Sequence, residues 1–172
     1  MNKTFSILGA GKIGTALTAL LIERGWQLCD VYDQSENQLN DFLAKFSLNR
    51  NNTRPSDCMF VCIKDDSFPA CLNDLINGVF PLPKHLIHTS GFHKAAYFQS
   101  LKDKYALEIH SFHPMISVIN TDPAKGSALL KNAWWALSGD NPEWMKAFMS
   151  GLNLSHLILD DQKKDFIMLL PL

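Results

Sequence analysis

The chain has 172 residues, 47% hydrophobic and 19% charged, with a net charge of −1. That length and balance suit one well-cored α/β domain, or one domain with a short appendage, and exclude a disordered chain. With no basic stripe no nucleic-acid partner is expected, and no apolar run approaches the roughly 20 residues of a membrane span.

Asn2-Lys3 is followed at once by a strand pattern rather than a signal peptide, so the cytoplasm is the expected compartment. Thr4 to Leu8 reads as a β-strand running into the glycine turn Gly9-Ala10-Gly11-Lys12-Ile13-Gly14. Behind the turn Ile13, Ala16, Leu17, Leu20 and Leu21 recur at helical spacing, and Gly25 stops the helix. Gln27 to Tyr32 predicts a second strand. Ser35 to Gln38 is a capping box, and Leu39, Phe42, Leu43 and Phe46 form the stripe of the helix it opens. Ser47 to Asp57 is polar, and any third strand within it is short.

Cys58 to Ile63 is a continuous apolar run, as a central parallel strand requires. Cys58 and Cys62 stand four apart on it, a spacing that suits neither a disulfide nor zinc, and Cys29 and Cys71 add no Cys-x-x-Cys pair. All four are expected to be reduced, mostly buried thiols, and no set of metal ligands is read. A helix then carries Phe68, Cys71, Leu72 and Leu75 inward. Leu86 to His88 is the next strand, Ala95 to Lys104 a helix, and Leu107 to Phe112 a strand. Pro114 to about Lys125 reads as a loop before a strand at Trp134 to Ser138. Asn141 and Pro142 then start a helix with Trp144, Ala147, Phe148 and Gly151 on one face, and His156 to Leu159 is a last strand.

Strands alternating with helices predict a doubly wound, mostly parallel α/β sheet with helices on both faces and extra C-terminal strands, occupying residues 1–159. The strand–glycine turn–helix context makes the turn a dinucleotide-binding fingerprint of Rossmann type. Gly9 allows the tight turn, Gly11 lets the backbone approach the pyrophosphate, and Gly14 lets helix and strand pack. Asp33 stands about 20 residues beyond Gly14, where an acid bonds the adenosine ribose. A carboxylate there repels a 2′-phosphate, so of NAD and NADP the sequence favours NAD. Asp33 or Ser35 could instead cap the next helix, and both readings stand. Ile63, Lys64 and Asp65 follow the central strand and reach the same cleft.

Two segments converge on the nicotinamide end, His88-Thr89-Ser90-Gly91 and His110-Ser111-Phe112-His113-Pro114-Met115. His113, at a strand's carboxyl end, is the candidate to handle the proton coupled to hydride transfer. Thr89, Ser90 and Gly91 are the candidate substrate contacts, with Ser90 a second catalytic candidate. His113 could equally satisfy a loop carbonyl. His88 and His110 read as structural.

Together, these motifs resemble the 6-phosphogluconate and β-hydroxyacid dehydrogenase superfamily, and most of all its Rossmann-like members with a helical C-terminal domain of unassigned function. His113-Pro114-Met115 is also similar to a segment of prephenate dehydrogenases, whose histidine contacts the substrate hydroxyl. Ile116-Ser117-Val118 departs from their pattern. Pyrroline-5-carboxylate reductases share the first motif and fit the rest less well. The resemblance implies an NAD(P)-dependent oxidoreductase acting on a small polar or carboxylate-bearing substrate. It also implies a helical domain, of which Asp160 to Leu172 would be the start. Phe166, Ile167, Leu169 and Leu170 would then call for a partner, either a second copy in a homodimer or a missing domain. The competing reading is a dinucleotide-binding module without turnover.

Overall fold

Short strands, alternating with helices along most of the chain, set the frame of the molecule. β1 (Thr4–Leu8) leads into α1 (Lys12–Glu23), and β2 (Gln27–Tyr32) returns beside it, both strands within the bounds the sequence predicts. The computed structural model describes residues 3–48 and 56–162. α2 (Glu36–Lys45) is capped by Ser35, whose Oγ accepts the Gln38 N–H at 3.3 Å. β3 (Cys58–Val61) is buried along its whole length. A short 3₁₀ turn precedes α3 (Phe68–Ile76). β4 (His85–His88), α4 (Gln99–Lys104) and β5 (Glu108–Pro114) follow. α5 (Pro123–Asn132), β6 (Trp135–Gly139), α6 (Pro142–Leu152) and β7 (His156–Ile158) complete the described chain.

The seven strands form one sheet in the order β2-β1-β3-β4-β5-β6-β7. β1 to β5 are mutually parallel, β6 runs antiparallel to β5, and β7 is parallel to β6. Helices cover both faces. Leu17, Leu20, Phe42, Phe148 and Leu152 fill one side, and Phe68, Leu75, Phe98 and Leu101 fill the other. The mostly parallel, doubly wound α/β architecture is therefore as the sequence predicts.

Three local expectations change. The stretch between Pro114 and Trp134, read as a loop to about Lys125 with no element before the next strand, contains α5. Asp122 caps it by accepting the Lys125 N–H at 2.9 Å, and Pro123 takes the first helical position. What anchors it is tertiary: a Cβ on Gly126 would lie 2.7 Å from the Ala16 Cβ, Ser127 Oγ donates to Glu23 Oε1 at 3.1 Å, and Lys131 ion-pairs with Glu23. With Leu130 as its one fully buried large side chain, α5 has too little apolar stripe for periodicity to reveal it.

β5 continues through His113 and Pro114, because the antiparallel partner β6 pairs them with Ala136 and Trp135 after β4 has ended at His88. The strand ends two residues later than predicted, with His113 still at its carboxyl end. α6 buries Met145, Phe148, Met149 and Leu152, while Ala147 and Gly151 face solvent. The residues 49–55, where a short third strand was conceivable, and the apolar stretch Phe166 to Leu170 lie outside the described residues. Asp161 begins one short turn, its carboxylate accepting from the Ala95 and Ala96 N–H groups and from Ser138 Oγ. Among the described residues no helix is long and apolar enough to cross a membrane.

Candidate functional site

The glycine turn has three different demands on its three glycines. Gly9 holds a φ of +106°, and a Cβ there would sit 2.5 Å from the Cys62 carbonyl oxygen. Gly14 lies under it, where a Cβ would come within 2.0 Å of the Gly9 oxygen. Gly11 differs: among the described residues beyond its own neighbours in the chain, no atom lies within 4 Å of its Cβ position. It is the N-cap of α1, so the helix's unpaired N–H groups and positive dipole end look onto open space. Gly9 and Gly14 build the turn, and Gly11 leaves room for a ligand.

Asp33 closes the turn from the other side. Its Oδ2 accepts the Ala10 N–H at 2.7 Å and its Oδ1 the Ser35 N–H at 2.8 Å. The structure thereby separates the two roles the sequence leaves open. Ser35 caps α2, and Asp33 ties the end of β2 to the glycine turn.

A cavity of about 1150 Å³ opens at the carboxyl ends of β1, β2 and β3. This is where the strand order reverses direction, the usual place for ligands in such sheets. Gly9, Gly11, Lys12 and Ile13 line it from the turn, Asp33 from the end of β2, and Ile63 and Lys64 from beyond β3. Ala10 and Gly14 instead pack behind the turn, both buried. Asp74 and Phe80, at the far end of α3, also line the cavity and were not anticipated. Phe80 packs on Tyr32 with ring centroids 4.7 Å apart. Only the placement of β3 beside β1 brings that loop near β2, so the sequence carries no local signal for it. Among the described residues the lining holds Asp30, Asp33 and Asp74 against Lys12 and Lys64. Cys62 lines it too, but burial pushes its thiol up to about 12, so it offers no thiolate nucleophile at neutral pH.

The second group of candidates lies at the carboxyl ends of β4 and β5. The His113 ring is held with Nδ1 3.2 Å from the Thr89 carbonyl oxygen. Nδ1 is then the protonated nitrogen, and in the neutral ring Nε2 carries the lone pair. Ser90 Oγ donates to Asp65 Oδ1 at 2.6 Å and accepts the N–H groups of Phe92 and His93 at 3.1 and 2.9 Å. Its single proton is committed, so Ser90 orders the Gly91–His93 turn. Asp65, anticipated beside the cofactor, is its partner. Phe68 stacks on His93 at 4.3 Å and braces the same turn. His88 is fully buried with Nε2 3.2 Å from the Lys94 carbonyl oxygen, a structural role as expected.

No protein-family model and no curated protein matches this sequence. Solved structures do match it. A Bacteroides fragilis protein assigned as an NADP oxidoreductase superposes with a TM-score of 0.76 at 19% identity, covering 98% of this chain and 64% of its own. A pyrroline-5-carboxylate reductase from Coxiella burnetii gives 0.71 at 14% identity, covering 99% and 64%. A prephenate dehydrogenase from A. aeolicus, in complex with hydroxyphenyl propionate and NAD+, gives 0.70 at 12% identity, covering 96% and 62%. The fold is a Rossmann fold. Its structural neighbours include NAD(P)-dependent oxidoreductases, and the chain spans less than two thirds of the length of each of these three.

Proposed function

We propose that this chain binds NAD across the Gly9–Gly14 turn and serves an oxidoreductase that passes hydride between the nicotinamide and a small polar or carboxylate-bearing substrate. The observation that carries the reading is the open space at Gly11, facing Asp33 across one cavity large enough for a dinucleotide. Pyrophosphate oxygens fit against the α1 N–H groups, and the adenosine ribose hydroxyls fit against the Asp33 carboxylate. The Asp33 carboxylate in the lining supports NAD over NADP, since a 2′-phosphate there would meet a like charge. His113 is the group to hold or take the substrate proton, through Nε2, with Thr89 fixing its tautomer.

A second reading, a dinucleotide-binding module without turnover, is favoured by one observation. The Ser90 proton goes to Asp65 rather than towards a substrate.

Thermal melting with each cofactor tests binding. NADH at about 100 times its dissociation constant should raise Tm by roughly 5–10 °C for a chain this size, and NADPH by less. No shift with either cofactor would refute the reading. Cofactor oxidation across a panel of small oxo acids then separates the two functions. Clear NADH binding with no turnover of any would favour the module.

A further inference from the structure

The amino ends of β4 and β5 carry a second cluster, at the opposite end of these strands from the loops that meet the dinucleotide cleft. His85 is in register with Glu108, and His110 follows Glu108 by two residues, so the three side chains project on one face. His85 Nδ1 lies 3.2 Å from Glu108 Oε2 and 3.3 Å from His110 Nε2, and the third edge, His110 Nε2 to Glu108 Oε2, is 3.7 Å. Tetrahedral bonds of about 2.0–2.1 Å to a zinc-type ion set ligand atoms about 3.3–3.4 Å apart. The three edges fall around that value.

The surroundings hold this triangle still. Trp144 stacks on His85 at 3.8 Å and 10° and on His110 at 4.6 Å and 22°, fixing both ring planes. Asn141 Nδ2 donates to the Glu108 carboxylate at 3.3 Å from each oxygen, which orients it from outside. Both imidazoles are almost wholly buried, while the Glu108 side chain is 31% exposed and gives an entry from solvent. Burial keeps His85 below the ordinary histidine range despite Glu108 and Asp57, with Lys84 acting in the same direction as burial. Burial and neighbouring His85 bring His110 down to about 3 against the pull of Asp140, with Lys102 on the side of burial. Neutral rings present lone pairs, the form that binds metal. Without an ion, Glu108 Oε2 accepts, and each of the two ring nitrogens donates or accepts according to its tautomer.

We propose that His85, Glu108 and His110 bind one divalent transition-metal ion of the zinc type, with water in the fourth position. Two imidazoles and one carboxylate suit such an ion better than calcium or magnesium, which take oxygen ligands. The bound ion joins β4 to β5 and, through Trp144 and Asn141, clamps the start of α6 onto the sheet. It acts on stability at a distance from the dinucleotide cavity.

Chelator-stripped full chain titrated calorimetrically with Zn2+ alone tests this. One equivalent should bind and Tm should rise. Co2+ should give a tetrahedral-type absorption spectrum without thiolate charge-transfer bands. Glu108→Gln keeps the shape of a half-buried side chain and should weaken Zn2+ by more than about tenfold, the least that losing a mere supporting residue costs, with NADH binding intact. His85→Gln should do the same. Absent stoichiometric binding, undiminished affinity in Glu108→Gln, or a thiolate signature pointing to the cysteines would each overturn the proposal. The Co2+ spectrum of the unmodified chain decides even if a variant fails to fold.

Discussion

The Ala10 N–H donates to the Asp33 carboxylate over 2.7 Å, joining residues 23 apart in the chain beside the cavity that Asp33 lines. A carboxylate placed this way is oriented before any ligand arrives. A charge-assisted bond of this kind contributes about 1.5–3 kcal/mol.

Asp33→Asn keeps an acceptor for Ala10 and removes the charge. NADH affinity should fall about tenfold, while NADPH affinity holds or improves, as read by cofactor fluorescence titration. Equal losses for both cofactors would show that Asp33 does not meet the ribose.

Gly11 and Gly14 should separate binding from folding. The Cβ of Gly11→Val enters open space, so the change should cost about 1 kcal/mol or less as a poorer helix cap yet fill the space for pyrophosphate. NADH binding should vanish with Tm little changed. Gly14→Ala drives a Cβ into the Gly9 carbonyl and should lower stability in urea unfolding by about 1–3 kcal/mol or more. The idea fails if Gly11→Val binds NADH normally.

His113→Ala should lower kcat by about 10²–10⁴ on any turned-over substrate and leave the NADH dissociation constant nearly unchanged. Ser90→Ala should act mainly on stability, since its hydroxyl binds Asp65 and two backbone N–H groups. A pure kcat defect in Ser90→Ala without loss of Tm would reverse that assignment.

Glu23 links α1 to α5. Its hydrogen bonds with Lys131 and Ser127 hold the carboxyl below its ordinary value. A carboxyl depressed in the folded state contributes stability above its unfolded pKa, near 4.3–4.5, and loses it as pH falls through the folded value. Glu23→Gln should therefore cost a modest amount at pH 7, under about 1 kcal/mol for so exposed a pair, and converge with the unmodified chain in strong acid. Denaturant midpoints across pH measure it, and a constant deficit down to strong acid would remove the ion pair from the account.

Much of the frame was legible because its signals are local. The bounds of β1 and β2 follow from β-rich runs closed by glycine or Asp. The starts of α2 and α6 follow from Ser35 and Asn141, each of which accepts a backbone N–H three residues on. α5 was missed because its support lies in α1, in Ala16 and Glu23. β5 ends two residues beyond the predicted Phe112 because a strand's end depends on its partner, and β6 extends β5 past the end of β4. In the candidate site, Gly9 to Gly14 and Asp33 were found by spacing, whereas Asp74 and Phe80 reach the cavity only through the strand order.

By itself the sequence determined the glycine turn, the alternation of strands and helices, and the acid after β2. These rest on backbone dihedrals, capping and burial periods spanning a few residues. Tertiary structure alone decided that the Ser90 proton is spent on Asp65, that His113 is fixed by Thr89, and that His85, Glu108 and His110 converge. Those contacts join residues about 25 apart through the register of neighbouring strands. Register is set by how the whole sheet buries its two faces, and no short window of sequence contains it.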